Sequence, residues 1–252
     1  EFKWTVHVRI STMLRRLEVM LRKGVAAALT AASLLPVVAA ENEYETARQS
    51  MVKHQIKGRG IEDPAVLEAM REVPRHLFIE GGYGRYAYND RPLPIGHGQT
   101  ISQPYIVAYM TELLNLSEDD KVLEVGTGSG YQAAVLAEIS RQVFTIEIIK
   151  PLAESAREHL KEAGYNGVTT RAGDGYYGWE EHAPFDAIIV TAAASHIPPP
   201  LIEQLKEGGR MVIPVGPVMR VQHLMLLKKK TGGEIVKYRK LPVRFVPLTG
   251  EH

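Results

Sequence analysis

The sequence predicts an α/β fold: a doubly wound, mostly parallel sheet, preceded by a helical segment and followed by an antiparallel hairpin. From residue 121 onward, apolar segments of strand length alternate with helical segments, which is typical of parallel sheets. The first of these strands, residues 121–125, leads directly into a turn with glycine at positions 126, 128 and 130. The second strand, residues 142–147, ends in an acid, Glu147.

The glycine turn indicates a close approach between backbone and ligand, because glycine has no Cβ and readily adopts positive φ. Its spacing is G-x-G-x-G, and Tyr131 stands where the dinucleotide-binding fingerprint has its third glycine. Such a turn alone is also compatible with a tight turn that binds nothing. Glu147 lies about 20 residues beyond Gly126, where an acid at a strand end hydrogen-bonds ribose hydroxyls. Together the two features favour a nucleoside-type cofactor over a solvated glutamate.

Strands and helices continue to alternate after Glu147. We predict a helix at residues 151–163 and a third strand at residues 168–175, which ends in Asp174 and Gly175, where such sheets place adenine-binding acids. The remaining predicted elements are an apolar central strand at 185–194, a helix at 201–205, a strand at 208–216, and a hairpin of 223–227 with 235–243. Lys228, Lys229 and Lys230 beside the hairpin turn are predicted to form a solvated edge.

The region before the sheet is predicted to contain helices and one long loop. Asp63 and Pro64 are an N-cap and a first helical residue. Residues 81–104 are rich in glycine, proline and aromatic residues, and loops of this length in a compact domain are usually functional. The loop enters a helix at Pro104, so Ser102 lies where a hydroxyl and free N–H groups can hold a carboxylate. Alternatively, Ser102 is only the N-cap of that helix.

Composition and charge restrict the classes of function. The 252 residues are 45% hydrophobic and 23% charged, which suits one globular domain. The formal net charge is +1, but residues 1–24 carry +4, which leaves −3 for the remainder. That balance argues against a surface for the phosphate backbone of nucleic acids. Cysteine is absent, which excludes disulfides, Cys-ligated zinc and thiol chemistry.

Residues 1–40 are predicted to be an N-terminal extension, and residues 41–252 the folded domain. Met13 or Met20 could be the true start. After Met20, basic residues precede an apolar run at 25–40, which has the layout of a signal peptide and is short for a membrane span. An amphipathic or disordered extension is the alternative. We expect a cytoplasmic protein, because the cofactor type is made there, with export to the periplasm as the alternative.

Several motifs carry a resemblance to a known family. The G-x-G-x-G turn resembles motif I of S-adenosylmethionine-dependent methyltransferases, which is widely shared. The sequence Gln99-Thr-Ile-Ser102 before a helix is close to diagnostic of the protein-L-isoaspartate (D-aspartate) O-methyltransferases. The chain resembles that family over residues 44–250, and the further matching pieces are Val73-Pro-Arg, Gly173-Asp-Gly, Leu205-Lys-Glu-Gly-Gly-Arg, Pro214-Val-Gly and Val246-Pro-Leu-Thr.

The resemblance implies a Rossmann-like class I methyltransferase fold, with S-adenosyl-L-methionine as cofactor, S-adenosyl-L-homocysteine as product and no metal. Glu147 would bind the ribose, and Asp174 with Gly175 the adenine. The other implied cofactor residues are Gly126, Gly128, Ser129, Gly130 and Thr249. The implied substrate-binding residues are His97, Gln99, Thr100, Ile101 and Ser102, with Ser102 as the active-site residue.

The implied substrate is an isoaspartyl residue in a damaged protein or peptide, with D-aspartyl residues as a second class. Such a carboxylate is ionised at neutral pH, so no strong general base is required and Ser102 would only orient it. The resemblance further leads us to expect a monomer that binds neither nucleic acid nor membrane.

Other functions stay open on the residues alone. A methyltransferase acting on another carboxylate or small molecule would share the same cofactor site. A nucleic-acid amino-methyltransferase would have Asn/Asp-Pro-Pro-aromatic after the fourth strand, where this chain has Ala194-Ser-His-Ile-Pro-Pro-Pro. A catechol-type enzyme would need an acidic metal cluster there. A non-enzymatic cofactor-binding module would not need Ser102.

Overall fold

The computed structural model describes residues 42–217 and 220–250. The residues from Tyr44 onward fall into one compact unit. The predictions for residues 1–40, including the export signal, lie outside the described residues. In the described part of the chain, no helix is long and apolar enough to cross a membrane.

The chain opens with the predicted helical region. Helix α1 covers residues 42–50 and continues as a π-helical segment, Met51–Ile56. Helix α2 is Pro64–Glu72, and the Asp63 carboxylate accepts hydrogen bonds from the N–H groups of Ala65 and Val66 at 2.8 and 3.2 Å. The predicted N-cap is therefore confirmed.

The segment predicted as a long loop contains a small hairpin. Strands β1 (Leu93–Pro94) and β2 (Thr100–Ile101) pair antiparallel. Leu93 and Ile101 are buried, which anchors the hairpin to the core and leaves its turn in solvent. Helix α3 then begins at Pro104 and ends at Leu114.

Seven strands form the main sheet, in the spatial order β5-β4-β3-β6-β7-β8-β9. The strands are β3 Lys121–Val125, β4 Gln142–Glu147, β5 Thr169–Ala172, β6 Phe185–Val190, β7 Leu205–Val215, β8 Gln222–Lys229 and β9 Ile235–Val243. The pairs from β5 to β7 are parallel, and β8 and β9 add antiparallel at one edge. The mostly parallel sheet and the C-terminal hairpin are confirmed.

Both faces of the sheet are covered, as a doubly wound fold requires. The remaining helices are α4 Tyr131–Ala137, α5 Lys150–Glu162 and α6 Pro199–Gln204. On β3, Leu123 packs on the same face as Leu201 of α6, whereas Val122 packs on the opposite face with Met110 of α3. This alternation follows from the two-residue period of a strand.

Helix α4 is buried on all sides over most of its length. Residues 131–136 are all buried, because Val135 and its neighbours pack against Met51 and Val66 of the N-terminal helices while Leu136 joins the cluster on the sheet. The N-terminal helices therefore cover the helix that follows the glycine turn.

The prediction of a solvated lysine edge was wrong for Lys229. Its Nζ donates hydrogen bonds to the carbonyl oxygens of Ile202 and Leu205, at 2.8 and 2.7 Å. These carbonyls lie at the C-terminal end of α6, where a cation is favoured. These two hydrogen bonds therefore link the C-terminal end of α6 to strand β8.

Candidate active site

A cleft opens at the carboxyl ends of β3, β4 and β6. From β3 the chain proceeds outward to β4 and β5, and it then crosses back to β6 on the other side of β3, so the cleft lies where the strand order reverses. Open α/β sheets bind ligands at such a point. The sequence-predicted residues that line the cleft are Gln99, Thr100, Ile101, Ser102, Gly126, Gly128, Ser129, Glu147, Gly175 and Thr249.

The glycine turn is shaped by its neighbours on other strands. Gly126 has a φ of 97°, and a Cβ built on it would lie 2.5 Å from Oγ1 of Thr191, which is too close for any side chain. Gly130 has a φ of 91° and is the N-cap of α4. A Cβ there would lie 3.1 Å from Cγ of Leu160, so Gly130 permits helix packing and does not line the cleft.

Glu147 holds the glycine turn in place. Its Oε2 accepts a hydrogen bond from the N–H of Gly128 at 2.8 Å, and its Oε1 accepts one from the N–H of Ile149 at 3.0 Å. A carboxylate has about four lone-pair positions. Glu147 can therefore make both backbone contacts and still accept hydrogen bonds from a ligand in the cleft.

Glu124, in the middle of β3, also lines the cleft, and sequence reasoning missed it. Its side chain is fully buried, and burial raises its pKa to about 8; a hydrogen bond from Thr145 opposes this rise and the charge of Glu147 adds to it. Among the described residues, Oε1 of Glu124 has no hydrogen-bond partner. An acid inside an otherwise apolar strand is the signal that could have found it.

Asp174 and Gly175, which were predicted to bind adenine together, have different positions in the structure. The Asp174 carboxylate accepts a hydrogen bond from the N–H of Tyr176 at 2.9 Å and caps a short 3-10 turn. Gly175, not Asp174, is among the residues that line the cleft. A Cβ on Gly175 would lie 2.4 Å from Cγ1 of Val125, so glycine is required for the turn to pack on β3.

Ser102 lies at the mouth of the cleft, and the alternative that it is only an N-cap was wrong. Helix α3 begins at Pro104 and its N-cap is Gln103. Within the described chain, the Ser102 hydroxyl makes no hydrogen bond to protein, so it is available to a ligand. His97 is exposed in the β1–β2 turn with a φ of 51° and does not line the cleft.

Residues from two segments before β1, Arg59 and Asp90, hold the segment that carries Ser102. Nε2 of Gln103 donates to the carbonyl oxygen of Asp90 at 3.2 Å, and the Asp90 carboxylate pairs with Arg59 at 2.7 Å. The Arg59 guanidinium lies 3.5 Å above the ring centroid of Tyr105, in the first turn of α3. These contacts hold the start of α3 in place.

The C-terminal segment reaches the cleft through the residues that follow β6. The carbonyl oxygen of Val246 accepts from the N–H of Ala193, and the N–H of Leu248 donates to the carbonyl oxygen of Ala193, both at 2.8 Å. This pairing brings Thr249 to the cleft. Thr191, which the sequence reasoning did not single out, also lines the cleft, and its hydroxyl donates to the carbonyl oxygen of Gly126 at 2.5 Å.

The residues of the cleft fit a nucleoside cofactor that carries positive charge. Glycines without Cβ atoms form the floor, and Glu147 offers oxygens to hydroxyl groups. Oε1 of Glu124 has no partner among the described residues, and a cation in the cleft would favour the ionised form of this buried acid. In the described chain, no group of three or more His, Asp or Glu side chains could hold a metal ion.

The strand order and the glycine turn define the class: a Rossmann-like, class I methyltransferase fold. A family model for protein-L-isoaspartate(D-aspartate) O-methyltransferase matches residues 46–252. The chain belongs to the protein-L-isoaspartate(D-aspartate) O-methyltransferase family.

Individual relatives agree with this assignment. The chain is 58% identical over 221 residues to protein-L-isoaspartate O-methyltransferase 1 of Nitrosospira multiformis, covering 87% of this chain and 93% of that protein. A solved beta-aspartate methyltransferase of Plasmodium falciparum, in complex with S-adenosyl-L-homocysteine, has a TM-score of 0.70 and 31% identity over 80% of this chain and 98% of its own. A second solved protein-L-isoaspartate O-methyltransferase has a TM-score of 0.74 and 33% identity, over 81% of this chain and 66% of its own.

Proposed function

We propose that this protein is a repair enzyme that methylates the carboxylate of L-isoaspartyl residues in damaged proteins and peptides, with S-adenosyl-L-methionine as cofactor. The proposal rests on one observation, namely that the cofactor cleft and the family's Gln-Thr-Ile-Ser segment adjoin each other. The cleft built from the glycine turn, Glu124 and Glu147 opens directly onto Ser102 in the family's Gln-Thr-Ile-Ser segment. D-aspartyl residues are a second proposed substrate class.

The proposed cofactor site uses the glycine turn and the two buried acids. Gly126, Gly128 and Ser129 lie along the methionine and ribose portion, and Glu147 accepts from the ribose hydroxyls. Gly175 adjoins the adenine, whereas Asp174 acts by holding the turn that positions Gly175. When bound, the cofactor supplies an electrophilic methyl group on a sulfonium. The positive charge of the cofactor would favour the ionised form of Glu124, which would then complement that charge.

The protein has to position the substrate carboxylate and shield it from water, but it does not have to remove a proton from it. The isoaspartyl carboxylate is ionised at neutral pH, so it is a nucleophile without loss of a proton. The Ser102 hydroxyl donates to one carboxylate oxygen and turns the other toward the methyl group. Gln99, Thr100 and Ile101 cover the cleft and exclude water, and placement of two reactants in attack geometry supplies most of the rate.

The test uses two synthetic peptides that differ only in one L-isoaspartate in place of aspartate, incubated with the protein and S-adenosyl-L-methionine. Mass spectrometry should show one added methyl group on the isoaspartyl peptide only. If neither peptide is methylated while the cofactor binds, the acceptor is a different molecule, and small carboxylates are the next class to test. Methylation of both peptides would also contradict the proposed selectivity.

The oligomeric state and the cellular location stay predictions. We propose a monomer in the cytoplasm, where the cofactor is made, with the periplasm as the alternative if residues 20–40 direct export. Light scattering coupled to size-exclusion chromatography measures the oligomeric state.

Fractionation of cells that express the full chain, followed by N-terminal sequencing, tests the cellular location. A chain that starts near residue 41 in the periplasmic fraction would overturn the prediction of a cytoplasmic protein.

A further inference from the structure

A second groove, here called the outer groove, opens beside Ser102 on the side away from the glycine turn. It shares Thr100, Ser102, Thr191, Val246 and Pro247 with the cofactor cleft, so the two are continuous. A peptide whose isoaspartyl carboxylate lies at Ser102 can therefore extend into this groove. The side chains that give the groove its chemical character are Pro92, Arg220, Val221, Pro242, Arg244 and Phe245.

Arg220 and Arg244 line the same groove because of the register between β8 and β9. Gln222 at the start of β8 pairs with Val243 at the end of β9. Arg220 and Arg244 therefore stand at the same end of the hairpin, just outside the paired residues. Gln222 is buried and links both flanking segments: its Oε1 accepts from the N–H of Phe245 at 2.9 Å and its Nε2 donates to the carbonyl of Pro217 at 3.2 Å.

The charge of the outer groove is one-sided. Arg220 and Arg244 are exposed and, among the described residues, neither has a carboxylate partner. No acidic side chain lines the groove in the part of the chain that the structure describes. The other walls are mainly apolar, and Val221 is 45% exposed. An apolar groove with two free guanidinium groups suits an extended peptide that carries negative charge.

We infer that Arg220 and Arg244 make the protein selective for isoaspartyl sites flanked by acidic residues. The inference rests on the proposed function and extends it to the sequence around the damaged residue. Arginine pairs with carboxylates through two parallel N–H···O bonds, so Glu or Asp beside the isoaspartate gains contacts that Gln or Lys cannot make. Because both arginines are exposed, the selectivity is modest and weakens with salt.

The experiment measures kcat/KM for three isoaspartyl peptides that differ only in having Glu, Gln or Lys on both sides of the isoaspartate. The efficiency should fall in the order Glu, Gln, Lys, with a ratio of about fivefold between the Glu and Lys peptides at low salt. High salt should bring the ratio close to one. Most of the difference should lie in KM, because the arginines act on binding and not on methyl transfer.

Variants assign the effect to the groove. Arg244→Glu and the Arg220→Glu, Arg244→Glu double variant should lower the Glu-to-Lys ratio at least about threefold or reverse it. Arg244→Gln should lower it less, since it removes a charge without adding repulsion. Arg157→Glu is the matched control, because Arg157 is exposed on α5 and does not line the groove, and it should leave the ratio unchanged. Binding of S-adenosyl-L-homocysteine verifies that each variant is folded.

The outcomes separate this inference from the proposed function. Equal efficiency for the three peptides in the unaltered protein, or a ratio that the double variant does not change, overturns the inference and leaves the repair function intact. If no isoaspartyl peptide is methylated whatever its flanking residues, the proposed function itself is wrong.

Discussion

Glu124 and Thr145 face each other across the parallel strands β3 and β4, and Oγ1 of Thr145 donates a 2.6 Å hydrogen bond to Oε2 of Glu124. Thr127, at the glycine turn, contacts the same Thr145 hydroxyl at 2.6 Å. The buried acid is thus connected to the backbone that would surround the cofactor. Its other oxygen has no partner among the described residues, which makes Glu124 sensitive to the charge of whatever enters the cleft.

We predict that stability falls as pH rises toward 8 in the cofactor-free protein. The pKa of Glu124 is raised from 4.5 to about 8 by burial, so between these values the folded state binds a proton that the unfolded state has released. Glu124→Gln should remove this part of the pH dependence, because the amide does not titrate and still accepts from Thr145. Urea unfolding of both proteins on either side of that range measures it, and identical pH profiles would contradict the assignment.

The same group should make cofactor affinity depend on pH. A cation favours the ionised form of a nearby carboxylate, so binding of S-adenosyl-L-methionine should strengthen as pH rises through about 8 and should release protons below it. Calorimetry in two buffers of different ionisation enthalpy detects the proton release. Glu124→Gln should bind more weakly and release no proton. An unchanged affinity in this variant would show that Glu124 does not face the cofactor's charge.

Replacement of Ser102 by alanine should reduce turnover far more than cofactor affinity. A hydrogen bond to a charged group contributes about 1.5–3 kcal/mol, so kcat/KM should fall about 10- to 100-fold on isoaspartyl peptides. Binding of S-adenosyl-L-homocysteine should be nearly unchanged. Ser155→Ala is the control, since its hydroxyl bonds the Glu80 carboxylate on the surface. Equal losses of turnover and cofactor affinity would mean that Ser102 belongs to the cofactor site.

Replacement of Glu147 by alanine should affect both stability and cofactor binding. The partly buried N–H groups of Gly128 and Ile149 would lose their charged acceptor, and a hydrogen bond to a charged group contributes about 1.5–3 kcal/mol. Glu147→Gln keeps one carbonyl oxygen and should be less destabilised. If Glu147→Ala were as stable as the unaltered protein but bound cofactor poorly, Glu147 would act on the ligand alone and not on the turn.

Gly175→Ala tests the close packing against β3 of the side of the cleft where we propose that the adenine binds. A Cβ at this position would lie 2.4 Å from Val125, and such overpacking typically costs about 1–3 kcal/mol. We expect a lower midpoint of thermal unfolding and weaker cofactor binding. The control is Gly167→Ala, where a Cβ would meet nothing within 4 Å and φ is not positive. A stable Gly175→Ala protein with normal binding would show that this turn can move aside.

The sequence predicts those parts of the site that depend on local order. A strand that enters a glycine turn, a second strand that ends in Glu147, and Gln99–Ser102 before a helix are contiguous patterns, and the structure brings their residues to one cleft. Lys229 shows the limit of such reasoning. Three consecutive lysines indicate a solvated edge. However, the hairpin places Lys229 beside the C-terminal end of α6, where its Nζ donates hydrogen bonds to the carbonyl oxygens of Ile202 and Leu205.

By itself, the sequence determined the fold class and the identity of the glycine turn, because strand and helix periods and turn glycines act over a few residues. Only the tertiary structure decided that Glu124 lines the cleft, since which neighbour meets a strand residue depends on sheet order. It also decided that Thr191 underlies Gly126 and that Arg220 and Arg244 flank one groove. The pairing of β3 with β6 brings Thr191 to Gly126, and the exact register of β8 with β9 brings Arg220 to Arg244, and neither follows from a pattern of a few residues.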